Sequence, residues 1–257
     1  METRKLQKVG GGTYTISIPK AWADQHGLEV GADVHIYTHN DGSIVLRSAQ
    51  KDGGLLDEVR IQIEDDNPDR ISSTLRAFHV IGFETVTLVP KTRFSDEQLR
   101  AARAAKQDFV GSEILVESTD EITVRNLLDT ADISVRQSIV QLKFIVLSIH
   151  QEAVQAFVQG ESGVDDRLLD QVTEADRMLD MITRHFNRAM VSLEEVDLLG
   201  LSRPELFDYY ATAVELQRIA HLSEAIASVR GPGAEPIDEA DLAELVRAAD
   251  HVREFVD

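Results

Sequence analysis

Beyond about residue 126 no convincing strand remains, and that constrains the chain to a fold whose strands all come before a long helical half. Before that point apolar and polar residues alternate in short runs. Tyr14, Ile16 and Ile18 alternate with Thr13, Thr15 and Ser17, the pattern of a strand with one wet face. After it, Leu128, Val135, Leu142, Val146 and Ile149 belong to a wide apolar stripe at helical spacing, which predicts one long helix over residues 127–158. Further helices are predicted over 164–190, over 204–229 with Pro204 in the first turn, and over 238–256. Gly160–Gly163 and Gly231-Pro232-Gly233 break the pattern between them. Long amphipathic helices joined by short turns predict an antiparallel three-helix bundle, with the fourth helix opening a second repeat that stays incomplete. The expected fold class is α+β and multidomain.

The first half divides further. Strands are predicted over residues 4–9, 13–18, 33–38 and 43–47, with a short helix over 20–26 stopped by Gly27. Gly10-Gly11-Gly12 and Asn40-Asp41-Gly42 are the turn signals. Gly53-Gly54 reads as a hinge. Strand and helix then alternate: strands over 59–64, 84–89 and 114–118, a helix over 68–82, and a second helix capped by Ser95 with Gln98 at the capping-box position. Residues 122–124 start a further strand, so a small α/β unit of three or four strands is expected. The domains are therefore expected at 1–50, 51–118 and 119–257.

Charge sharpens this division. The chain carries 45 acidic against 26 basic residues, a formal −19, which as a whole repels nucleic acid. Residues 1–20 run the other way, with Arg4, Lys5, Lys8 and Lys20 against Glu2 alone, a basic arm where a polyanion could dock. Abundant aspartate, with lysine scarce beside arginine, suits a salt-rich cytoplasm, where contacts that depend on counterion release weaken. The absence of cysteine excludes disulfides, thiolate zinc sites and cysteine nucleophiles. No apolar run is long enough to span a membrane, and the first residues lack the apolar core of a secretion signal, so a cytoplasmic location without membrane insertion is expected.

The stretch from Arg4 to Trp22, with its glycines and Ile18-Pro19-Lys20, resembles the AbrB/SpoVT swapped-hairpin family. Gly27-Leu28, Gly31-Ala32-Asp33-Val34 and Gly42-Ser43-Ile44-Val45 continue the pattern to about residue 48. The resemblance implies an obligate homodimer that exchanges hairpins, which agrees with an arm too short to bury a core alone. It also implies DNA contacts by Arg4, Lys5, Lys8 and Lys20, with Thr13 and Ser17 as phosphate hydrogen-bonders. Two departures stand out: Gly11-Gly12-Thr13 lacks the arginine frequent there, and Ala21-Trp22-Ala23-Asp24 lacks the arginines frequent on the helix. An arm that only dimerises is the alternative.

The helical half resembles the phosphate-uptake regulator family PhoU. The segments are Glu174-Ala175-Asp176-Arg177-Met178-Leu179-Asp180 and Leu216-Gln217-Arg218-Ile219-Ala220-His221-Leu222-Ser223-Glu224-Ala225-Ile226-Ala227, on consecutive helices, within a likeness covering roughly 120–230, one of the family's usual two repeats. Together with the arm and the acidic composition, the chain resembles PhoU-like regulators of haloarchaeal type. The resemblance implies phosphate-responsive regulation, with a phosphate-transporter ATPase subunit or a sensor kinase as protein partner. It also implies a divalent or trivalent metal ion held by acidic pairs one helical turn apart. Here Asp176, Asp180 and His221 are the candidate ligands, while Val172 and Gln217 replace two of the family's acids. A solvated acidic face is the competing reading of the same residues.

No enzyme is expected. The triple glycine is not followed by the Lys-Ser/Thr of a nucleotide loop, the eight histidines form no paired metal motif, and no Gly-x-Ser-x-Gly elbow occurs. Three readings remain: a DNA-binding regulator of phosphate uptake, an adaptor whose arm only dimerises, and an AbrB-type transcription factor with a ligand-binding α/β unit.

Overall fold

The computed structural model describes residues 3–38, 42–48, 55–160, 166–229 and 237–256. It divides into two units, residues 1–52 and 53–257. Gly53-Gly54, Asn40-Asp41 and Gly231-Pro232-Gly233 lie outside the described residues, as do residues 161–163 of the break after Gly160.

In the first unit, β1 (Gln7–Val9) and β2 (Thr13–Thr15) form an antiparallel hairpin in which Gln7 opposes Thr15 and Val9 opposes Thr13. Gly10 enters its turn at φ 65°, a conformation that favours a residue without a Cβ. Pro19 caps α1 (Lys20–Gln25), and the chain leaves that helix through Gly27 at φ 65°. A second hairpin, β3 (His35–Thr38) with β4 (Ile44–Arg47), completes the unit. The elements agree with the sequence pattern but are shorter at their ends.

The second unit begins with β5 (Glu58–Ile63), α2 (Pro68–Ile81), β6 (Thr85–Pro90) and α3 (Asp96–Gln107), then β7 (Ser112–Glu117) and β8 (Ile122–Asn126). The sheet order is β5-β6-β8-β7: β5 and β6 pair in parallel, and β8 inserts antiparallel between β6 and β7. The expected α/β unit thus has four strands and runs past residue 118 to 126. Asn67 starts α2 by accepting a hydrogen bond from the Asp69 amide, with Pro68 in the first turn. Ser95 and Gln98 form the reciprocal capping box that their spacing implied. Ile71 and Leu75 of α2 and Ala102 of α3 cover Leu88 and Ile122, all fully or almost fully buried.

The stripe that begins at Leu127 does not start a helix there. A 3₁₀ turn spans Thr130–Asp132, and α4 runs over Val135–Gln159, capped by Ser134, which accepts from the Gln137 amide. Leu128 instead lies against Gly111, so close that a Cβ on the glycine would meet Leu128 Cβ at 2.6 Å. Then come α5 (Asp166–Val191), α6 (Leu193–Leu199), α7 (Arg203–Val229) and α8 (Glu239–Val256). Sequence reading missed α6, although Ser192 three residues before Glu195, with Gly200 beyond, carries the signal; Ser192 accepts from the Glu195 amide and Gly200 ends the helix at φ 62°.

Polar pairs fix the helix directions. Arg167 of α5 meets Glu152 of α4, while Gln171, one turn later, meets Ser148, one turn earlier, so the two run antiparallel. Arg203 of α7 reaches the Ala189 carbonyl and Gln217 reaches Asp176, so α7 runs antiparallel to α5. The result is the expected antiparallel three-helix bundle, around Leu142, Val146, Ile149, Ile182, Leu206 and Leu216. The bundle and the sheet layer meet along a polar seam. Arg184 donates to the His79 and Phe83 carbonyls, Asn187 to Val80 and Arg188 to Gly82, so side chains of α5 satisfy the open carbonyls at the end of α2. Among the described residues no helix is long and apolar enough to cross a membrane.

Candidate nucleic-acid interface and the acidic helical pair

None of the described residues of the first unit is buried. Leu6, Tyr14, Ile16, Ile36 and Ile44 each expose more than half of their surface. A β unit with this many apolar side chains in water has no core of its own. The candidate DNA ligands lie on its first hairpin and at the start of its helix, and all are exposed. Lys8 is the register partner of Tyr14, whereas Thr13 is the partner of Val9. Partners across an antiparallel pair share a face and neighbours along a strand do not. Lys8 and Thr13 therefore project from opposite faces of the hairpin, and the six candidates are not one patch. Lys20 is the first residue of α1, and Arg4, Lys5 and Ser17 lie outside the paired residues of β1 and β2. Residues 1–52 hold six basic and six acidic side chains, so the entire −19 falls on residues 53–257.

The candidate metal ligands separate into two arrangements. Asp176 of α5 and His221 of α7 meet: His221 Nε2 lies 3.0 Å from Asp176 Oδ1, and Gln217 Nε2 donates to the same oxygen at 2.7 Å. His221 Nδ1 lies 3.4 Å from Glu224. Asp180 is engaged elsewhere. Both of its oxygens accept from the Arg76 guanidinium of α2, at 2.7 and 3.1 Å. Burial pushes the Asp180 carboxyl upward, and Arg76 offsets part of that shift. The expectation that Asp176, Asp180 and His221 share one cation is corrected accordingly: a cation from the sheet layer already occupies Asp180. Among the described residues, no group of three or more His, Cys, Asp or Glu is placed to hold a metal ion. Spacing along α5 could not show this, because Arg76 is distant in sequence and arrives only when α2 docks.

A buried network that sequence reading missed centres on Glu195 of α6. Its carboxylate accepts from Arg188 at 3.0 Å and from the Thr130 hydroxyl at 3.1 Å, and lies 2.9 Å from His185 Nδ1. Burial raises the Glu195 carboxyl, but hydrogen bonds from His185 and Arg188 and the charge of Arg188 outweigh it and hold the pKa below the usual carboxylate range.

A hairpin, a short helix and a second hairpin, with exposed apolar residues and a basic leading edge, define a small β module that needs a partner surface. Residues 7–53 match the family model of MazE, described as antidote-toxin recognition, bacterial antitoxin. That match covers less than a fifth of the chain and ends at the boundary between the two units. No curated protein and no solved structure matches the chain.

Proposed function

We propose that this chain is a dimeric, cytoplasmic DNA-binding regulator of phosphate uptake. The observation that carries the reading is the MazE match over residues 7–53, on a unit with every described apolar side chain at least partly exposed. The match marks a DNA-binding or antitoxin-type regulator. Two copies of the unit bury the surface that one leaves open, and the dimer presents Arg4, Lys5, Lys8 and Lys20 twice. The phosphate part of the reading rests on the likeness of 174–180 and 216–227 to PhoU. Its support is that these segments lie side by side, with Asp176 bonded to Gln217 and His221. On this reading the helical body relays phosphate status through a transporter ATPase subunit or a sensor kinase.

A second reading, an adaptor whose arm only dimerises, is favoured by one specific observation. The first unit is electrically neutral, and α1 places the acidic Asp24 one turn after Lys20. Fluorescence anisotropy with DNA from the chain's own upstream region, across a potassium chloride series, separates the two. Binding that weakens steeply with salt supports the regulator; no binding even at low salt leaves the adaptor.

A further inference from the structure

Along the seam between sheet layer and bundle lies a cavity of about 350 Å³. Glu84, Arg125 and Asn126 line it from the sheet side, and Arg184, His185 and Arg188 from α5. Residues 127–130 of the connector complete its lining. Three guanidinium groups around one cavity are unusual in a unit that carries −19. Their partners account for only part of their donors. Arg184, 4% exposed, donates through Nη1 alone, to the His79 and Phe83 carbonyls, each at 2.8 Å. Its Nε and Nη2 have no acceptor among the described residues. Arg188 uses Nε on Glu195 and Nη1 on the Gly82 carbonyl, which leaves Nη2. Arg125 Nη2 reaches Glu84 Oε1 at 3.1 Å, across a pair with both side chains at least 40% exposed.

Two carboxylates, Glu84 and Asp129, line the cavity. Both Glu195 oxygens are taken, and Asp129 caps the 3₁₀ turn through the Ala131 amide. Only Glu84 is held by a single exposed pair. Arg184 and Arg188 stand one helical turn apart on the same face and repel each other. Burial, and after it the charge of Arg188, brings the Arg184 pKa down to about 10. Capping the end of α2 uses one nitrogen of each arginine, and Glu195 takes a second one of Arg188.

We propose that this cavity binds a phosphate group, free or carried on a small molecule, through Arg125, Arg184 and Arg188. A phosphate accepts from several guanidinium donors at once and carries the charge that relieves the Arg184–Arg188 repulsion. The cavity volume falls in the range of small-molecule sites. Glu84 competes for Arg125 and is displaced when the anion enters. Because Arg125 and Asn126 end β8 and the connector leads into α4, an occupant ties the sheet layer to the bundle. The inference deepens the phosphate-responsive reading and takes from it the choice of first ligand. DNA binding by the arm stands or falls separately.

The test is isothermal titration calorimetry of the full chain with inorganic phosphate, glycerol phosphate, a nucleoside monophosphate and citrate. The expected result is saturable binding of at least one phosphate compound at one per chain, with citrate much weaker. Inorganic phosphate binding most tightly identifies the free ion as the ligand; a tighter ester identifies a phosphorylated metabolite. Glu84→Gln removes the competing carboxylate and should tighten binding about tenfold, and Arg125→Gln should weaken it about tenfold. Both changes are at an exposed pair, and far-ultraviolet circular dichroism checks that both variants stay folded. No saturable binding of any phosphate compound by the native chain or Glu84→Gln overturns the proposal. So does binding that neither variant alters, or citrate binding in preference to phosphate.

Discussion

In mild acid the second unit should lose stability through the imidazole of His79. It lies in the last turn of α2, 6% exposed, stacked on the Phe109 ring with centroids 4.7 Å apart. Burial, then the charges of Arg184 and His185, lower its pKa from 6.5 to about 3. As pH falls below 6.5, the unfolded chain takes up a proton that the folded chain refuses. The stabilising contribution is therefore complete above the unfolded pKa and is lost progressively as pH falls toward the folded value. Between pH 7 and pH 5 the loss from this one group amounts to about 2 kcal/mol. The perturbation is His79→Leu, which keeps an apolar contact with Phe109 and cannot titrate. Urea unfolding followed by far-ultraviolet circular dichroism reports the helices, which lie mainly in residues 53–257. Fluorescence of Trp22, the single tryptophan, would report the first unit instead. Other titrating groups cancel in the difference between proteins, so the native chain should lose about 2 kcal/mol more than the variant between the two pH values. An equal loss in both would refute the reasoning.

In the arm, replacing Lys5 and Lys8 with glutamate should abolish DNA binding under conditions where the native chain binds; in a dimer, milder neutralisation to glutamine should lower the slope of log affinity against log salt by about four. Deleting residues 1–50 should shift the chain from dimer to monomer in light scattering; an unchanged dimer would move the interface to the second unit. Gly82→Ala should destabilise the second unit by about 2–4 kcal/mol in urea unfolding, from backbone strain and overpacking together. The position has φ 116°, and a Cβ there would lie 2.7 Å from Arg188 Cγ. Ile149→Ala, at a fully buried position in the bundle core, should cost about 2–5 kcal/mol by the same measurement.

What the sequence determined by itself is local and periodic. The loss of strand periodicity after residue 126 placed every described strand before the long helices, and signals such as Gly27 and Pro204 marked element ends within a few residues. The Ser95–Gln98 capping box was legible because both partners lie within one turn. The arm's pattern was legible too, since its turns depend on particular glycines in fixed order, and residues 7–53 carry an independent match. Tertiary structure decided what depends on residues distant in sequence. Leu127 and Leu128 fit a helical stripe, yet they belong to a connector because Leu128 packs under Gly111. Asp180 read as half of an acidic pair until α2 brought Arg76 against it. The cavity at the seam combines the end of β8, the residue before β6 and one turn of α5. No spacing rule joins positions as far apart as Glu84 and Arg184. A guanidinium acquires its meaning from which carbonyls and carboxylates occupy its donors, and that occupancy is fixed only when sheet layer and bundle pack together.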